Sequence, residues 1–489
     1  MTPAAGDDRP GSTAAQRRAA ADLVHVHPVA EDLGHRFAAA GHALHLVGGP
    51  VRDALLGRHD SADLDLTTDA TPDVTRRLLS GWAEAVWDVG ARFGTIAALR
   101  DDVPVEITTY RTESYDPSSR KPDVVFGDDL AEDLVRRDFT VNAMALSLPD
   151  RALADPTGGL RDLAERVLRT PGPPGRSFDD DPLRMMRAAR FVAQLGFTLE
   201  PTTLTALRER TGRLQVVSAE RVRDELSRLL LSRDPRAGLE VLVESGLAEE
   251  VLPELPLLLR TGDEHGRHKD VYAHSLQVLE QAIALEGRYT GAVDLVLRLA
   301  ALLHDVGKPR TRRLLPGGQV TFHHHEVVGA KMTRRRLEAL RYPKAVVADV
   351  SRLVELHLRF HGYGGDEGWT DAAVRRYVRD AGPLLDRLHA LTRADCTTRN
   401  RRKAARLAAT YDDLESRIAE LSAAEEVDRL RPDLDGNAIM ELLGVGPGLV
   451  VGRAYRFLLE LRTEHGPQPR EAAEAALLDW AREQGVLDG

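Results

Sequence analysis

Residues 46–57 are Leu-Val-Gly-Gly-Pro-Val-Arg-Asp-Ala-Leu-Leu-Gly. A strand that leads into Gly48 and Gly49, followed by a helix, presents backbone N–H groups and the positive end of a helix dipole to an anion such as phosphate. Arg52, on the first turn of that helix, is expected to reach the same anion. A tight strand-to-helix connection explains the two glycines equally well, so they do not decide the function alone.

Two carboxylates follow this stretch. Asp63 and Asp65 are two residues apart, so on a strand they point to the same face and can share divalent cations. Carboxylate oxygens suit Mg²⁺ held jointly by protein and substrate phosphates, and two such ions would activate a 3′-hydroxyl and stabilise a leaving pyrophosphate. Glu106, in a strand-like segment, is a candidate third carboxylate. The alternative is a solvated acidic turn.

Arginines appear next, in a segment that begins Arg-Arg-Asp. Arg137 is expected to bind triphosphate or ribose, because a planar guanidinium binds oxyanions through two donors at once. A surface ion pair is the structural alternative.

A base-reading pair is predicted in DDDPLRMMRAARF, residues 179–191. Asp181 and Arg184 are three residues apart and therefore face the same way on a helix. An acceptor beside a donor matches cytosine and adenine, and it would leave polar groups of uracil or guanine unpaired, which is costly. Arg187 and Arg190 continue the basic face and are further nucleotide-binding candidates. Helix capping with surface arginines is the alternative.

In this order, the four segments resemble the class II CCA-adding enzymes and bacterial poly(A) polymerases of the polymerase β nucleotidyltransferase superfamily. The resemblance extends over about residues 40–260 and includes VSAERVRDEL at 217–226. Four motifs in one order are seldom met by chance. The resemblance implies that Asp63 and Asp65 are catalytic and that the 179–191 segment replaces a nucleic-acid template. One departure is Asp180, which stands where the family usually has Glu.

A second cluster of metal-binding side chains follows an apolar helix. Adjacent His and Asp residues, with flanking histidines and a late Asp, suit a metal site bridged by the Asp, although buried histidines often only pack. The segment resembles the HD phosphohydrolases over about residues 268–400, and by that resemblance it acts on phosphates or cyclic phosphates at RNA ends. The candidate ligands of its divalent metal are His274, His304, Asp305, His325, His357 and Asp395.

The chain has 489 residues, which exceeds what one core usually supports. We predict an α+β multidomain protein: a polymerase-β-type α/β nucleotidyltransferase head, an all-α neck and body, an HD-type helical domain and a helical, RNA-binding C-terminal tail. The predicted bounds are 1–25 for a disordered tail, 26–170 for the head, 171–265 for the neck, 266–400 for the HD domain and 401–489 for the C-terminal tail.

Composition limits the cellular setting. The single cysteine, Cys396, excludes an internal disulfide framework and fits a reducing cytoplasm. No apolar run is long enough to span a bilayer, and Met1 to Arg18 is too polar for a signal peptide. The net charge of −10 does not exclude nucleic-acid binding, which needs only a local basic patch. We expect a cytoplasmic protein with no membrane partner.

The function that these features favour is template-independent addition of CCA to tRNA from CTP and ATP, with Mg²⁺ as cofactor and a second, hydrolytic activity. Poly(A) polymerase shares every catalytic motif and stays open. An HD phosphohydrolase with an RNA-binding head, and a non-catalytic RNA-binding protein, are the alternatives from other classes. A long polar loop between Arg111 and Gly127 resembles the flexible loop of enzymes that complete the terminal A, which favours CCA addition.

Overall fold

The first part of the chain folds into a mixed sheet covered by helices. The computed structural model describes residues 12–58, 64–88, 94–114, 123–261, 271–316, 320–363, 369–398, 400–429, 432–465 and 468–487. The elements up to residue 170 are, in chain order, α1 Ala14–Leu23, α2 Pro28–Ala39, β1 Leu44–Val47, α3 Gly49–Leu55, β2 Leu64–Thr68, α4 Pro72–Leu79, β3 Ala85–Asp88, β4 Thr95–Arg100, β5 Val103–Thr109, β6 Arg111–Ser114, β7 Asp123–Phe126, α5 Leu130–Val135, a 3₁₀ turn at Thr140–Asn142, β8 Ala145–Leu148, β9 Leu153–Ala154, α6 Gly159–Glu165 and β10 Val167–Leu168.

Seven of these strands form one sheet in the order β3-β4-β5-β2-β1-β8-β9. Neighbouring strands are antiparallel except β2 and β5, which are parallel. Leu46 pairs with Leu66, so the end of β1 lies beside the start of β2. Leu46, Leu66 and Ile107 are buried, because alternate residues of each strand face the core. The three central strands therefore bring the glycine turn and the predicted carboxylates into one region.

The polar loop after β5 is built on a separate two-stranded ribbon. Strands β6 and β7 pair antiparallel, with Arg111 opposite Phe126. Residues 115–122, at the tip of the predicted loop, lie outside the described residues.

The N-terminal segment corrects one expectation. The predicted disordered tail includes residues 14–23, which form α1. Thr13 and Gln16 form a capping box at its start, and Ala20 and Ala21 are buried. Arg151 Nη2 donates to the carbonyl of Val24 at 2.7 Å. The helix is held by packing and capping that its polar composition does not reveal.

The chain becomes almost entirely helical after residue 170, as predicted. Helix α8 packs against α10 and α11, and a Cβ at Gly238 would lie only 2.6 Å from the carbonyl oxygen of Ala189, so glycine permits the close crossing. The elements from 171 to 356 are α7 Pro174–Asp180, α8 Leu183–Leu195, β11 Thr198–Leu199, α9 Pro201–Arg210, a 3₁₀ turn at Thr211–Val216, α10 Ala219–Leu230, α11 Pro235–Ser245, α12 Leu247–Val251, α13 Glu254–Leu259, α14 Val271–Tyr289, α15 Leu295–Leu303, α16 Lys308–Thr311, β12 Arg313–Leu314, β13 Val320–Thr321, α17 His325–Ala339 and α18 Lys344–Leu356.

The chain divides into two compact units, residues 1–355 and 356–489. The second unit contains its own apolar core, centred on Ile439, Ala454 and Leu477. Its elements are a 3₁₀ turn at Arg359–Gly362, α19 Asp371–Ala381, a 3₁₀ turn at Gly382–Leu384, α20 Leu385–Ala394, α21 Arg401–Arg429, α22 Gly436–Leu443, α23 Leu449–His465 and α24 Arg470–Glu483. The predicted domain bounds at 170, 265 and 400 stay predictions.

Candidate active site and metal-ligand cluster

Two carboxylates lie side by side on the only parallel strand pair of the described sheet. Asp65 of β2 is in register with Glu106 of β5. Both are exposed while their neighbours along each strand, such as Leu66 and Ile107, are buried. Adjacent strands are about 4.8 Å apart and directly paired residues share a face, so these carboxylates can bind one cation. Asp63 lies outside the described residues.

The two carboxylates line a cavity of about 470 Å³. The predicted residues Arg137, Asp181 and Arg184 line the same cavity, so the structure brings together residues from strand, turn and helix that are far apart in sequence. The full lining is Val47, Asp65, Leu66, Glu106, Thr108, Arg111, Asp133, Arg136, Arg137, Asp181, Arg184 and Arg221. A cavity lined by both carboxylates and guanidiniums suits a metal-bound polyphosphate.

The turn after β1 approaches the cavity through a glycine. Gly48 has φ +73°, and a Cβ there would lie 3.3 Å from Arg137 Nη1. Arg137 also donates from Nη2 to Asp133 at 3.3 Å. The neighbouring Gly49 begins α3, which has only seven residues. Glycine at position 48 therefore serves both the backbone conformation and the close approach of the arginine.

Arg52 lies elsewhere than the sequence argument places it. Its side chain is buried, with 4% of the residue exposed. Nη1 donates to Asn142 Oδ1 at 2.6 Å, and Nε and Nη2 donate to the carboxylate of Asp53 at 2.8 and 2.7 Å. The guanidinium carbon is 5.2 Å from the centre of the Phe191 ring. The expected phosphate contact is replaced by contacts within the head, because the first turn of α3 faces inward.

Arg187 also forms its hydrogen bonds with another residue of the protein. Its Nε and Nη2 both donate to Asp138 Oδ2, the first at 2.7 Å. Burial alone would raise the pKa of Asp138, but Arg187 and a hydrogen bond from Asn142 hold that pKa well below its usual range. Arg187 therefore neutralises a buried carboxylate instead of extending a basic face.

Arg190 is likewise buried, with its Nε 2.6 Å from Glu225 Oε2 and its Nη1 2.8 Å from Gln194. Desolvation by burial lowers the pKa of Arg190, against the opposing charge of Glu225. Glu225 belongs to the 217–226 segment on α10. This pair joins α8 to the neck and places neither side chain in the cavity.

Asp181 and Arg184 line the same cavity, although Asp181 lies in the extended turn after α7 and not on a helix with Arg184 as the spacing suggested. Arg184 Nη2 donates to the carbonyl of Arg136 at 2.5 Å, and its Nη1 donates to Ser177 Oγ at 2.8 Å. The Asp181 carboxylate accepts from the Leu183 N–H at 3.2 Å through Oδ1. The pair is thus anchored between α7, α8 and the head. Asp180 is the last residue of α7 and lines a neighbouring cavity of about 210 Å³ that Arg184 also borders.

Arg221 belongs to this site and was missed by the sequence argument. Its Nη2 donates to Asp181 Oδ2 at 3.3 Å. It stands in the 217–226 segment, 40 residues beyond Asp181, and only the packing of α10 against α8 brings it near. Arg136, the first arginine of the Arg-Arg-Asp segment, lines the cavity beside Arg137. Arg111 also lines it and was missed, because no spacing in the sequence marks it.

The second cluster gathers around Asp305 at the end of α15. Asp305 Oδ2 lies 3.5 Å from His274 Nε2 and 3.2 Å from His304 Nε2. His325 Nε2 lies 3.3 Å from Oδ1 of the same carboxylate, and Lys308 Nζ lies 2.7 Å from Oδ2. Burial alone would raise the pKa of Asp305, but the charges of His304 and Lys308 lower it. Three ring nitrogens and one carboxylate therefore converge in unit one.

The histidine hydrogen bonds fix how these rings can act. Nδ1 of His304 lies 2.8 Å from the carbonyl of Ala301, and Nδ1 of His325 lies 2.8 Å from the carbonyl of Phe322. A carbonyl oxygen only accepts, so each Nδ1 carries a proton and the Nε2 of each ring faces the cluster, where it can bind a metal through its lone pair when that nitrogen carries no proton. Metal-binding histidines have this arrangement.

Gly307 lets the two ligand-bearing segments touch. A Cβ there would lie 2.1 Å from the carbonyl oxygen of His325 and 2.7 Å from the amide of Gly329. Of the remaining predicted ligands, His357 is buried and Asp395 follows α20, both within the second unit.

Comparisons with known proteins agree with this architecture. Family models match as "Poly A polymerase head domain" at 44–169, "Probable RNA and SrmB- binding site of polymerase A" at 196–258 and "HD domain" at 271–400. The chain is 38% identical over 448 residues to the A-adding tRNA nucleotidyltransferase of Deinococcus radiodurans, which covers 90% of this chain and 95% of that enzyme.

Further similarity is to CCA-adding enzymes. The enzyme of Bacillus subtilis is 44% identical over 213 residues, a match that spans 43% of this chain and about half (52%) of that enzyme. The crystal structure of the Bacillus stearothermophilus CCA-adding enzyme in complex with CTP superposes with a TM-score of 0.55 at 25% identity, and it covers 94% of this chain and 99% of that one.

The fold and the matched domains define a template-independent nucleotidyltransferase joined to an HD domain. The chain belongs to the family of tRNA nucleotidyltransferases that includes the A-adding and CCA-adding enzymes. The predicted α+β head with its helical body and the predicted enzyme class are confirmed. Among the helices of the described residues, none has the length and apolar character that a bilayer span requires.

Proposed function

We propose that this chain adds C, C and A to the 3′ end of tRNA, using CTP and ATP. The observation that supports it is that the paired carboxylates Asp65 and Glu106 line the same cavity as Asp181 and Arg184, the pair expected to read the base. In the reaction, the 3′-oxygen of the RNA bonds to the α-phosphorus, the bond to the β-phosphate oxygen breaks, and pyrophosphate leaves. The proposed setting is the cytoplasm.

The donor set of the strand pair fits magnesium. Asp65, Glu106 and, by its spacing, Asp63 supply only carboxylate oxygens, which Mg²⁺ prefers, and they leave positions for substrate oxygens. When bound, two such ions supply activation of the 3′-hydroxyl and charge stabilisation of the pyrophosphate. Arg137 and the glycine turn at Gly48 would hold the triphosphate.

Base choice would follow from the second pair. The Asp181 carboxylate accepts a hydrogen bond from the amino group of cytosine or adenine, and Arg184 donates to the adjacent ring nitrogen. Arg136 and Ser177 hold the Arg184 guanidinium, so it cannot easily turn to suit uracil. A base with the opposite pattern would leave polar groups unpaired.

Addition of A alone is a second candidate, because the relative that covers 90% of this chain is an A-adding enzyme. Poly(A) synthesis is a third. The test uses three tRNAs, ending at the position before CCA, at C, and at CC, each incubated with CTP, with ATP, and with both. CCA addition predicts growth of all three to CCA and then arrest.

Each alternative gives a different product. Extension only of the tRNA ending in CC, and only by ATP, would assign the chain to A addition. Unlimited extension of any end by ATP would assign it to poly(A) synthesis. Either result contradicts CCA addition.

For the HD domain we propose metal-dependent hydrolysis of phosphate esters. A water oxygen bonds to phosphorus, the ester P–O bond breaks, and the leaving oxygen takes a proton. The support is the orientation of His304 and His325, whose proton-bearing Nδ1 atoms face carbonyls so that both Nε2 atoms face Asp305. In the first unit, the residues that would hold the divalent metal are His274, His304, Asp305 and His325. The roles of His357 and Asp395 as ligands stay predictions from the sequence.

A further inference from the structure

The segment between Asp305 and His325 is basic and contains no acidic residue. Residues 306–325 contain one lysine, three arginines and no acid, in a chain where acids outnumber Lys and Arg by 76 to 66. A 20-residue window of average composition would contain about three acids at that frequency. The segment thus departs from the acidic character of the chain next to the metal-ligand cluster.

The segment forms a short arm that begins and ends at ligand residues. After Asp305 the segment forms α16 and then β12. It continues through β13 and ends at His325. Strands β12 and β13 pair antiparallel, with Arg313 opposite Thr321. Phe322, 2% exposed, anchors the return. We call the described residues 308–316 and 320–321 the basic arm.

The arginines of the arm are available to a ligand. Arg310, Arg312 and Arg313 are exposed, and within the described residues their side chains contact no carboxylate. Leu314 and Leu315 beside them are 66% and 39% exposed. Free guanidiniums bind phosphate oxygens, and the leucines offer an apolar surface that a base can use and an inorganic phosphate cannot.

The arm is longer than a single phosphate group. Helix α16 is about 6 Å long, and each residue of the strand after it adds about 3.3 Å, so the arginines lie at increasing distances along the chain from the cluster. A ligand that contacts arginines of the arm and also reaches Asp305 is longer than one phosphate group, and a chain of phosphates has the required length. Single-stranded RNA has that form, and RNA is the substrate on which the family of this chain acts.

We propose that the basic arm holds the sugar–phosphate chain of an RNA end at the HD site, which makes that site selective for polynucleotides over small phosphate esters. The proposal rests on the hydrolytic activity proposed above. The role of the arm is binding and selection, and the metal-ligand cluster acts on the phosphate.

The test compares two matched double variants of the full chain. One is Arg312→Gln with Arg313→Gln, in the arm. The other is Arg334→Gln with Arg335→Gln, two exposed adjacent arginines on α17. The substrates are a 3′-phosphorylated RNA oligonucleotide and p-nitrophenyl phosphate, each with an added divalent metal.

The arm variant should raise KM for the oligonucleotide about tenfold or more, because two charge-assisted contacts are lost. The salt dependence of oligonucleotide binding should fall by about 1.4 in logarithmic slope, since each phosphate contact on a single strand contributes about 0.7. Turnover of p-nitrophenyl phosphate and nucleotide addition to tRNA should change less than about twofold. An unchanged KM, or an equal rise in the α17 variant, overturns the proposal.

A second measurement separates this proposal from the hydrolytic activity itself. Leu314 is replaced by the photo-crosslinking residue benzoylphenylalanine, and the protein is irradiated with labelled RNA and, separately, with phosphatidylserine vesicles. Crosslinking to RNA supports the arm as an RNA-binding element even if the wild-type protein hydrolyses neither substrate, a result that would refute only the hydrolytic function. Crosslinking to lipid alone, or to neither, overturns the proposal.

Discussion

At the scale of single residues, the register of β2 and β5 gives the most direct prediction. Asp65→Asn and Glu106→Gln should each lower kcat for nucleotide addition by about a thousand-fold or more, because each removes a charged ligand from metals that stabilise the transition state. Asp102→Asn, at an exposed turn of the same sheet where φ is +60°, is the matched control and should retain activity. Single-turnover assays with tRNA and CTP measure the effect. Near-normal rates in Asp65→Asn would remove Asp65 from the active site.

Base selection gives the second prediction. Asp181→Ala removes the acceptor for the amino group of cytosine and adenine, so incorporation of UTP relative to CTP should rise, about tenfold or more. Asp179→Ala, two residues earlier and paired with Arg210 at 3.4 Å, is the control. Competition assays with all four nucleotides measure the ratio. The same ratio in Asp181→Ala and wild type would mean that the bases are read elsewhere.

The role of a residue could be predicted from the sequence only where it did not depend on the direction in which the side chain points. Asp181 and Arg184 were expected to share one face of a helix, and they do line one cavity, but Asp181 lies in the extended turn between α7 and α8 and only Arg184 is helical. Arg187 and Arg190 follow the same periodicity, yet each turns inward to a carboxylate that lies 49 or 35 residues away. Nothing in local spacing distinguishes a guanidinium that faces a ligand from one that faces a buried acid.

At the scale of elements, α8 joins the head to the neck through Arg187. Arg187→Gln leaves Asp138 buried beside only uncharged donors, which should lower the free energy of unfolding by about 3 kcal/mol, the low end for a buried pair because the Arg187 side chain is 32% exposed. Arg208→Gln, which breaks an exposed ion pair with Glu244, should cost under about 1 kcal/mol. Thermal and urea unfolding measure both.

The pH dependence of that loss has a definite sign. In the wild-type protein the pKa of Asp138 is lowered on folding, so its stabilisation is complete above the unfolded value near 4 and is lost as pH falls through the lower folded value. In Arg187→Gln the folded protein should lower the pKa of Asp138 by a smaller amount. The difference in the free energy of unfolding between wild type and Arg187→Gln should therefore be largest at neutral pH and should become smaller as the pH falls into the acid range. A difference that grows as pH falls would contradict the pairing.

Elements were predicted well where periodicity and breakers agree, and less well where tertiary contacts decide. One helix ends at Leu443 and the next begins at Leu449, on either side of residues 444–448, where three glycines and a proline favour a break. Helix α1 was missed because its stability comes from a capping box and from contacts with Arg151, 127 residues beyond Val24. The ribbon of β6 and β7 was missed because the polar composition of residues 111–127 suggested a loop.

At the scale of the whole molecule, the two sites should work independently. His304→Ala should abolish phosphate hydrolysis and leave CCA addition within about twofold, because each metal shell is assembled from its own residues. His323→Ala, an exposed neighbour of the cluster, is the control. Both activities and the melting temperature are measured on one preparation. A joint loss of both activities with a lower melting temperature would show a structural metal instead, and surviving hydrolysis would show that the cluster is misassigned.

The pairing of Asp65 with Glu106 has a consequence for how such an enzyme can diverge. Main-chain hydrogen bonds of a central strand pair set the spacing of these acids, whereas Asp181 lies on the turn between α7 and α8 and Arg184 on the first turn of α8. The backbone thus positions the carboxylates of the reaction, and a few side chains that can be replaced determine the nucleotide preference. A substitution at Asp181 or Arg184 can therefore change nucleotide preference without moving the carboxylate pair.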